Sequence, residues 1–147
     1  MEEKIQFAVK IMLLIFLGIA AYFDCRRRRI PWSILGMGAV FMIICNVMQW
    51  REFRTEFFWA VAPGLLLLLL ARITGENIGY GDGISVLLVG GMAGIRNCIG
   101  ALCVSLLLLS LVALVLLVIK RADRKTKIPY LPFLFAAEGV LIACNFT

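Results

Sequence analysis

The chain has no histidine, few acidic residues and too few polar residues to cover a soluble globule. Its 147 residues include 9 aspartates and glutamates, while 63% are hydrophobic. A soluble domain of this composition would leave a large apolar surface in water, so that class of protein is excluded. The absence of histidine also removes the most common nitrogen ligand of zinc. We therefore predict an integral membrane protein.

Five cysteines are present, but none forms a C-x-x-C pair and most lie inside apolar runs. Such cysteines are typical of small packing residues rather than metal ligands. They are Cys25, Cys45, Cys98, Cys103 and Cys144. The net charge is +6, yet the basic residues lie between apolar runs, where they orient a membrane protein and meet anionic lipid. We expect contact with membrane lipid, and no nucleic acid, metal or cofactor.

Six apolar runs alternate with short polar links along the chain. They cover residues 5–23, 30–50, 57–73, 83–95, 98–119 and 128–146. Most approach the ~20 residues that cross a bilayer as a helix. The fourth would extend only about 20 Å, short of the ~30 Å hydrocarbon core, unless it is counted from Ile78. We predict an all-α, polytopic membrane helical bundle of about six transmembrane helices, forming a single domain over residues 1–147.

Two motifs predict local details of this bundle. Gly90 and Gly94, spaced G-x-x-x-G, indicate a face that another helix can approach closely. The polar pair Arg96-Asn97 is expected to separate the fourth run from the fifth.

The basic residues are unevenly divided between the two sides of such a bundle. With both termini outside, ten lie in loops that face the cytoplasm and five lie on the opposite side. The ten are Arg26, Arg27, Arg28, Arg29, Arg72, Lys120, Arg121, Arg124, Lys125 and Lys127. This division follows the positive-inside rule. We predict a multi-pass protein of the plasma or inner membrane with both termini outside.

Asp24 and Asp82 are the two acids that this topology brings to the same membrane face. Asp24 ends the first run and Asp82 begins the fourth, so both carboxylates are expected at similar depth on the cytoplasmic side. An ionisable group at the edge of an apolar segment is a functional-site hypothesis. Two neighbouring carboxylates do not both ionise easily, and a pair sharing one proton is the arrangement of aspartic proteases. One carboxylate activates water, while its protonated partner polarises the scissile carbonyl and later protonates the leaving amine.

Other interpretations of these acids stay open on the residues alone. Gly79 and Gly81 suit the close approach of an extended peptide, but Gly-Asp-Gly is also an ordinary turn or helix N-cap. Glu138, alone in the last run, either contacts substrate or water, or lies near the outer end and reaches the membrane surface.

Three motif blocks occur in order along the chain. They are Asp24 followed by a basic stretch and Ile30-Pro31, then Gly79-Tyr80-Gly81-Asp82, and finally Ile128-Pro129-Tyr130-Leu131-Pro132-Phe133. This ordered set resembles the type IV prepilin peptidases, the GxGD family of membrane aspartyl proteases. The resemblance implies that Asp24 and Asp82 are the catalytic pair. The residues that would support the site are Ile30, Pro31, Gly79, Tyr80, Gly81, Pro129 and Pro132.

The same resemblance implies a substrate and a partner. The reaction would be cleavage of the basic leader of prepilins or pseudopilins at the cytoplasmic membrane face. The partner would be a pilin-like precursor protein with a hydrophobic N-terminal helix.

The chain departs from that family's pattern in several places. Trp32 stands where many relatives have asparagine, and Gly83-Ile84-Ser85 lacks the lysine often found close behind the GxGD aspartate. The cysteine-rich zinc-binding insertion of long members is missing, so the chain resembles the short members. Long members also N-methylate the new amino terminus with S-adenosylmethionine. No site for that cofactor is recognisable, which disfavours methylation without excluding it.

Two other functions remain as alternatives. Presenilin-like GxGD intramembrane proteases pair a Tyr-Asp span with GxGD and a later Pro-Ala-Leu, whereas Asp24 follows Phe23 and no Pro-Ala-Leu occurs. A non-enzymatic transporter or assembly scaffold would use Asp24 and Asp82 to bind a cation or to hold helices together. That alternative predicts partial function with asparagine at either position, whereas proteolysis predicts near-complete loss.

Overall fold

The computed structural model describes residues 2–27, 31–48, 56–74, 79–119 and 128–144, and the prediction of an all-α fold is confirmed over this part of the chain. Ile30 of the first motif block and most of the basic loop residues lie outside the described residues. The helices are α1 (Glu2–Arg27), α2 (Trp32–Met48), α3 (Glu56–Ile73), α4 (Tyr80–Val118) and α5 (Leu131–Ala143).

Two helices are long and apolar enough to cross a membrane. By length and composition they are Gln6–Arg26 and Tyr80–Val118, the second of which is interrupted at Gly94, while Trp32–Val47, Phe57–Ile73 and Leu131–Ala143 are shorter apolar helices. Large hydrophobic side chains such as Leu66 of α3 and Leu107 of α4 are about three-fifths exposed on the outside of the bundle (61% and 59%). An apolar outer surface suits lipid rather than water. The number of membrane crossings and the side of each terminus remain predictions.

The long helix α4 reverses its direction at Gly94. Gly94 has φ 84° and ψ 169°, values that are not helical. Beyond it, Cys98 Sγ lies 3.7 Å from the carbonyl oxygen of Val86, although the two residues are 12 positions apart in sequence. A straight helix would separate them by about 18 Å. Residues 80–93 (the first half of α4) and 95–118 (the second half) therefore form an antiparallel hairpin.

The turn lies slightly before the predicted break at Arg96-Asn97. Glycine tolerates a positive φ without a steric cost, which explains why the chain turns at Gly94 rather than at the polar pair. The interpretation of Gly94 as part of a G-x-x-x-G packing face is therefore wrong. With this turn, the described residues contain six helical segments.

The first half of α4 is the centre of the bundle and packs closely on α3. A Cβ atom on Gly90 would collide with the carbonyl of Ala60, and one on Gly64 would collide with the backbone of Leu87. The prediction that Gly90 permits close helix approach is thus confirmed. The core that α4 shares with α1 and α5 includes Leu13, Leu17, Val86, Val89 and Leu134. Together these contacts bring the C-terminal end of α1 and the N-terminal ends of α4 and α5 to one end of the bundle.

Candidate active site

Asp24 lies near the C-terminal end of α1, against the first turn of α5. Its side chain is 9% exposed, and its Oδ2 accepts a hydrogen bond from the backbone N–H of Leu131 at 3.3 Å. Leu131 is the first residue of α5, where backbone N–H groups have no partner within the helix. The positive end of the helix dipole also faces a carboxylate placed there. The third motif block therefore supplies the group that holds Asp24.

The prolines of that block explain why this N–H is available. Proline has no N–H and is well suited to the first turn of a helix, so Pro132, the second residue of α5, leaves no N–H of its own without a partner. The N–H groups of Phe133 and Leu134 both bond to the Tyr130 carbonyl, at 3.0 and 3.2 Å. The donor left at the helix start is Leu131, which points to Asp24.

Asp82 lies in the first turn of α4, folded back over the residue that precedes the helix. Gly79 is the N-cap, with an extended conformation of φ −66° and ψ 130°. Its carbonyl accepts the N–H groups of Asp82 and Gly83 at 3.1 and 3.4 Å. A Cβ on Gly79 would lie 3.0 Å from Asp82 Oδ2. The first glycine of the GxGD block thus leaves room for the aspartate carboxylate.

The two aspartates lie at the same end of the bundle and act on each other. Their carboxylates are close enough for the charge of Asp24 to affect the ionisation of Asp82. The charge of Asp82 also reaches the phenol of Tyr130. Three helix ends therefore meet around a pair of like charges, whose repulsion is relieved when one of them holds a proton.

Tyr130 and Ser105 form a buried hydrogen bond beside the two aspartates, and neither residue is predicted as a site residue from the sequence. Their hydroxyl oxygens are 2.7 Å apart, and the Ser105 hydroxyl donates to the carbonyl of Leu102 at 3.0 Å. Because serine has one hydroxyl proton, Tyr130 is the donor to Ser105. The available signal was the position of Tyr130 inside the third motif block, between its two prolines.

The remaining predicted residues differ in how near the site they lie. The carbonyl of Pro31 accepts N–H groups from Ile34 and Leu35 at 3.0 and 3.5 Å, so Pro31 precedes α2 rather than lying in its first turn. Ile34 of α2 packs on a small cluster that includes Leu131, so the start of α2, just after the first motif block, contacts the third block. Tyr80 is 37% exposed at the edge of the site. Gly81 accepts the Ser85 hydroxyl at 2.8 Å through its carbonyl.

Glu138 is separate from the aspartate pair and completely buried. It is 0% exposed, and Asn97 Nδ2 donates to its Oε1 at 2.6 Å. It lies about 10 Å further along α5 than Leu131, because each helical residue advances 1.5 Å. The alternative in which Glu138 reaches the membrane surface is therefore wrong.

The groups that the site offers for chemistry are two carboxylates, a backbone N–H and a phenol hydroxyl. Within the described ranges, no three histidine, cysteine, aspartate or glutamate side chains come together as a possible metal site. The cysteines of the described residues are all free. Cys45 and Cys98 are buried, as expected of packing residues, whereas Cys25, Cys103 and Cys144 are exposed.

These observations define an all-helical membrane protein with a pair of carboxylates at one end of its bundle. The chain belongs to the type IV leader peptidase family, because the sequence model of that family matches residues 11–119. The matched range contains both aspartates and ends before the third motif block. No match was found among curated proteins or among solved structures.

Proposed function

We propose that this protein is a membrane aspartic endopeptidase that removes the basic leader of type IV prepilin or pseudopilin-like precursors. The observation that carries the proposal is the meeting of Asp24 and Asp82 at one end of an apolar bundle. Membership of a leader peptidase family supports a protease. Two carboxylates that share a proton supply both the base and the acid that peptide hydrolysis needs.

The reaction we propose proceeds through direct attack by water. The ionised carboxylate takes a proton from a water molecule, and the water oxygen forms a bond to the scissile carbonyl carbon. The protonated carboxyl donates a hydrogen bond to the carbonyl oxygen as it becomes negative. When the tetrahedral intermediate collapses, the C–N bond breaks and a carboxyl proton passes to the leaving amine.

The surroundings of each aspartate support an assignment of these two roles. Burial disfavours a negative charge on Asp24, and the Leu131 N–H at the positive end of α5 offsets part of that cost. Asp82, which lies beside that charge, is then the carboxyl that holds the proton. We assign the base to Asp24 and the acid to Asp82.

A shallow apolar groove on the outer side of the bundle supports a precursor with a hydrophobic helix as the substrate. The groove lies between α1 and α5 and is lined by Leu14, Ile15, Gly18, Ile19, Tyr22 and Phe135. It ends at Tyr22, which lies at nearly the depth of Asp24 but on the opposite side of α1, because a helix turns about 100° per residue. A precursor whose apolar helix begins just after the cleaved bond would place that helix along the groove, with the bond at the depth of the aspartates and the segment before it passing around the end of α1. We propose that this helix is the occupant of the groove.

The charged residues at this end of the bundle support a cytoplasmic site. Arg26 follows Asp24 in the last turn of α1, and Arg72 lies in the last turn of α3. Both side chains are exposed. Basic residues next to membrane helices are concentrated on the cytoplasmic side. We therefore propose that cleavage occurs at the cytoplasmic face of the plasma or inner membrane.

The proposal is tested by co-expression of the protein with a pilin-like precursor. The wild type, Asp24→Asn and Asp82→Asn are brought to equal levels, and the precursor is examined by mobility shift and mass spectrometry. The expected result is one cleavage between the basic leader and the apolar helix in the wild type, and intact precursor with both variants. A precursor cleaved to the same extent by either variant would contradict the two-aspartate mechanism.

A further inference from the structure

Glu138 and Asn97 form a buried polar contact between two helices, away from the aspartates. Glu138 belongs to α5 and is 0% exposed, and Asn97 belongs to the second half of α4 and is 3% exposed. The amide nitrogen of Asn97 donates to Glu138 Oε1 at 2.6 Å, across 41 positions of sequence. The contact therefore joins helices that are distant along the chain.

Each of these two side chains has a second polar atom that is buried and has no partner. The two atoms are Asn97 Oδ1 and Glu138 Oε2. If Glu138 were ionised, both atoms would be acceptors, and neither could satisfy the other. If Oε2 carries a proton, it becomes a donor, and a carboxylic acid and a primary amide can then pair through two parallel hydrogen bonds. A single proton on Oε2 would then give both unpartnered atoms a hydrogen bond.

We propose that Glu138 is a neutral carboxylic acid that pairs with Asn97 through two hydrogen bonds and positions α5 against the second half of α4. Asn97 Nδ2 donates to Oε1, and the protonated Oε2 donates to Asn97 Oδ1. Neither residue touches the aspartates, so both are positioning residues.

The groups that face Glu138 leave it without a compensating charge in contact. Lys10 of α1 acts on Glu138 by electrostatic attraction, but it gives Oε2 no hydrogen bond. The charge of an ionised Glu138 would also reach Cys98 of α4, whose thiol is directed to the Val86 carbonyl and gives Glu138 no hydrogen bond. An ionised Glu138 would thus be held by one amide N–H in an apolar core. That state is strongly unfavourable compared with the neutral acid.

The pair matters to the candidate active site because α5 carries the group that holds Asp24. Hydrogen bonds join α5 to the second half of α4 at two levels, through Tyr130 and Ser105 and through Glu138 and Asn97. Two contacts along one helix determine both its depth and its rotation. The same rotation directs the Leu131 N–H towards Asp24.

The protonation of Glu138 is tested by infrared spectroscopy, which does not depend on the proposed peptidase function. The purified protein at pH 7 is compared with Glu138→Gln by difference spectroscopy. The expected result is a carbonyl band of a hydrogen-bonded carboxylic acid that is present in the wild type and missing in the variant. A difference spectrum with carboxylate bands in its place would overturn the proposal.

Unfolding measurements test the pairing itself. Glutamine offers the same carbonyl and a donor in place of the acid proton, so Glu138→Gln should unfold within about 2 °C of the wild type. Glu138→Leu and Asn97→Leu each leave a buried polar partner, and each should lower the midpoint by about 5 °C. The double leucine variant should be no less stable than either single variant, because both polar groups are then gone.

A matched control is available on the same helix. Val140 is 48% exposed on α5, so Val140→Leu should leave the midpoint unchanged. If Glu138→Gln is as unstable as Glu138→Leu, the charge of the carboxylate is what matters, and the neutral pair is wrong.

The positioning role is tested by precursor cleavage, and this part rests on the proposed function. Glu138→Gln should cleave within about twofold of the wild type, and Glu138→Leu should lose roughly tenfold in kcat with KM little changed. Full kcat in a destabilised Glu138→Leu would overturn the positioning role. If the wild type cleaves no precursor, the proposed function fails, while the spectra and unfolding still decide the pairing.

Discussion

The two acidic regions of this bundle differ in where they lie along their helices. Asp24 and Asp82 lie at helix ends, where three termini meet and Asp82 remains partly exposed. Glu138 lies inside α5, is completely buried, and contacts one amide. Helix ends supply free backbone N–H groups and access to water, whereas the middle of a helix supplies neither. The two roles we propose, chemistry for the aspartates and packing for Glu138, thus correspond to different positions along a helix.

The largest loss of activity is expected when the carboxylate of Asp24 or Asp82 is replaced by a neutral amide. Asp24→Asn and Asp82→Asn should each lower kcat/KM by about 10²–10⁴-fold, because each removes one proton-transfer group. The double variant should be no worse than either single variant, since the two groups act as one unit. These values are obtained from purified, reconstituted protein with a cleavable precursor. Additive losses in the double variant would show that the two aspartates act independently.

A smaller loss of activity is expected when Gly79, over which the Asp82 carboxylate lies, is replaced by alanine. In Gly79→Ala the new methyl group would lie 3.0 Å from Asp82 Oδ2, so the carboxylate must move. We expect kcat/KM to fall by about tenfold while the protein folds normally. Gly36→Ala is the matched control, because a Cβ there meets nothing within 4 Å. If Gly79→Ala and Gly36→Ala were equally active, the Asp82 carboxylate would not depend on the space that Gly79 leaves.

A bulky side chain in the apolar groove should weaken substrate binding without changing the chemical step at the aspartates. Ile15 is 57% exposed in the groove, and Leu66 is 61% exposed on α3. Ile15→Trp should raise KM several-fold, roughly 3–10-fold, with kcat little changed, because it occupies the space of the substrate helix. Leu66→Trp should leave both constants unchanged. A fall in kcat alone for Ile15→Trp would speak against the groove as a binding site.

The smallest expected effect concerns the hydroxyl pair next to the aspartates. Tyr130→Phe removes a buried hydrogen bond and should cost about 1 kcal/mol of the free energy of unfolding. Tyr22→Phe is the control, because it removes an exposed bond to Arg26 of similar length, 2.7 Å. Thermal unfolding in detergent measures both. If Tyr22→Phe lost as much stability as Tyr130→Phe, burial of the hydrogen bond would not explain the loss.

Much of the aspartate end could be predicted because its signals are local in the sequence. Asp24 ends one apolar run and Asp82 begins another, and the alternation of runs indicates that both lie at the same membrane face. The Gly79 N-cap was likewise visible as part of a short motif. The turn at Gly94 was placed slightly late, because polar residues show where an apolar run ends but not where a positive φ is needed.

The contacts between distant helices could not be predicted from one sequence. Whether Asn97 meets Glu138 depends on the rotation of two helices about their axes, as does the meeting of Ser105 with Tyr130. Those rotations follow from the packing of many apolar side chains, which alternative arrangements of the same residues would also satisfy. The apolar groove between α1 and α5 also depends on how these two helices are rotated and packed.

The measurement that tests the comparison most directly makes the same chemical change in both regions. Asp82→Asn and Glu138→Gln each replace a carboxyl group by an amide of the same shape, and their cleavage rates are compared at equal protein levels. We predict that Asp82→Asn is inactive and that Glu138→Gln retains at least about half of the wild-type rate. An active Asp82→Asn, or a Glu138→Gln that folds but does not cleave, would contradict the assignment of chemistry to one region and packing to the other.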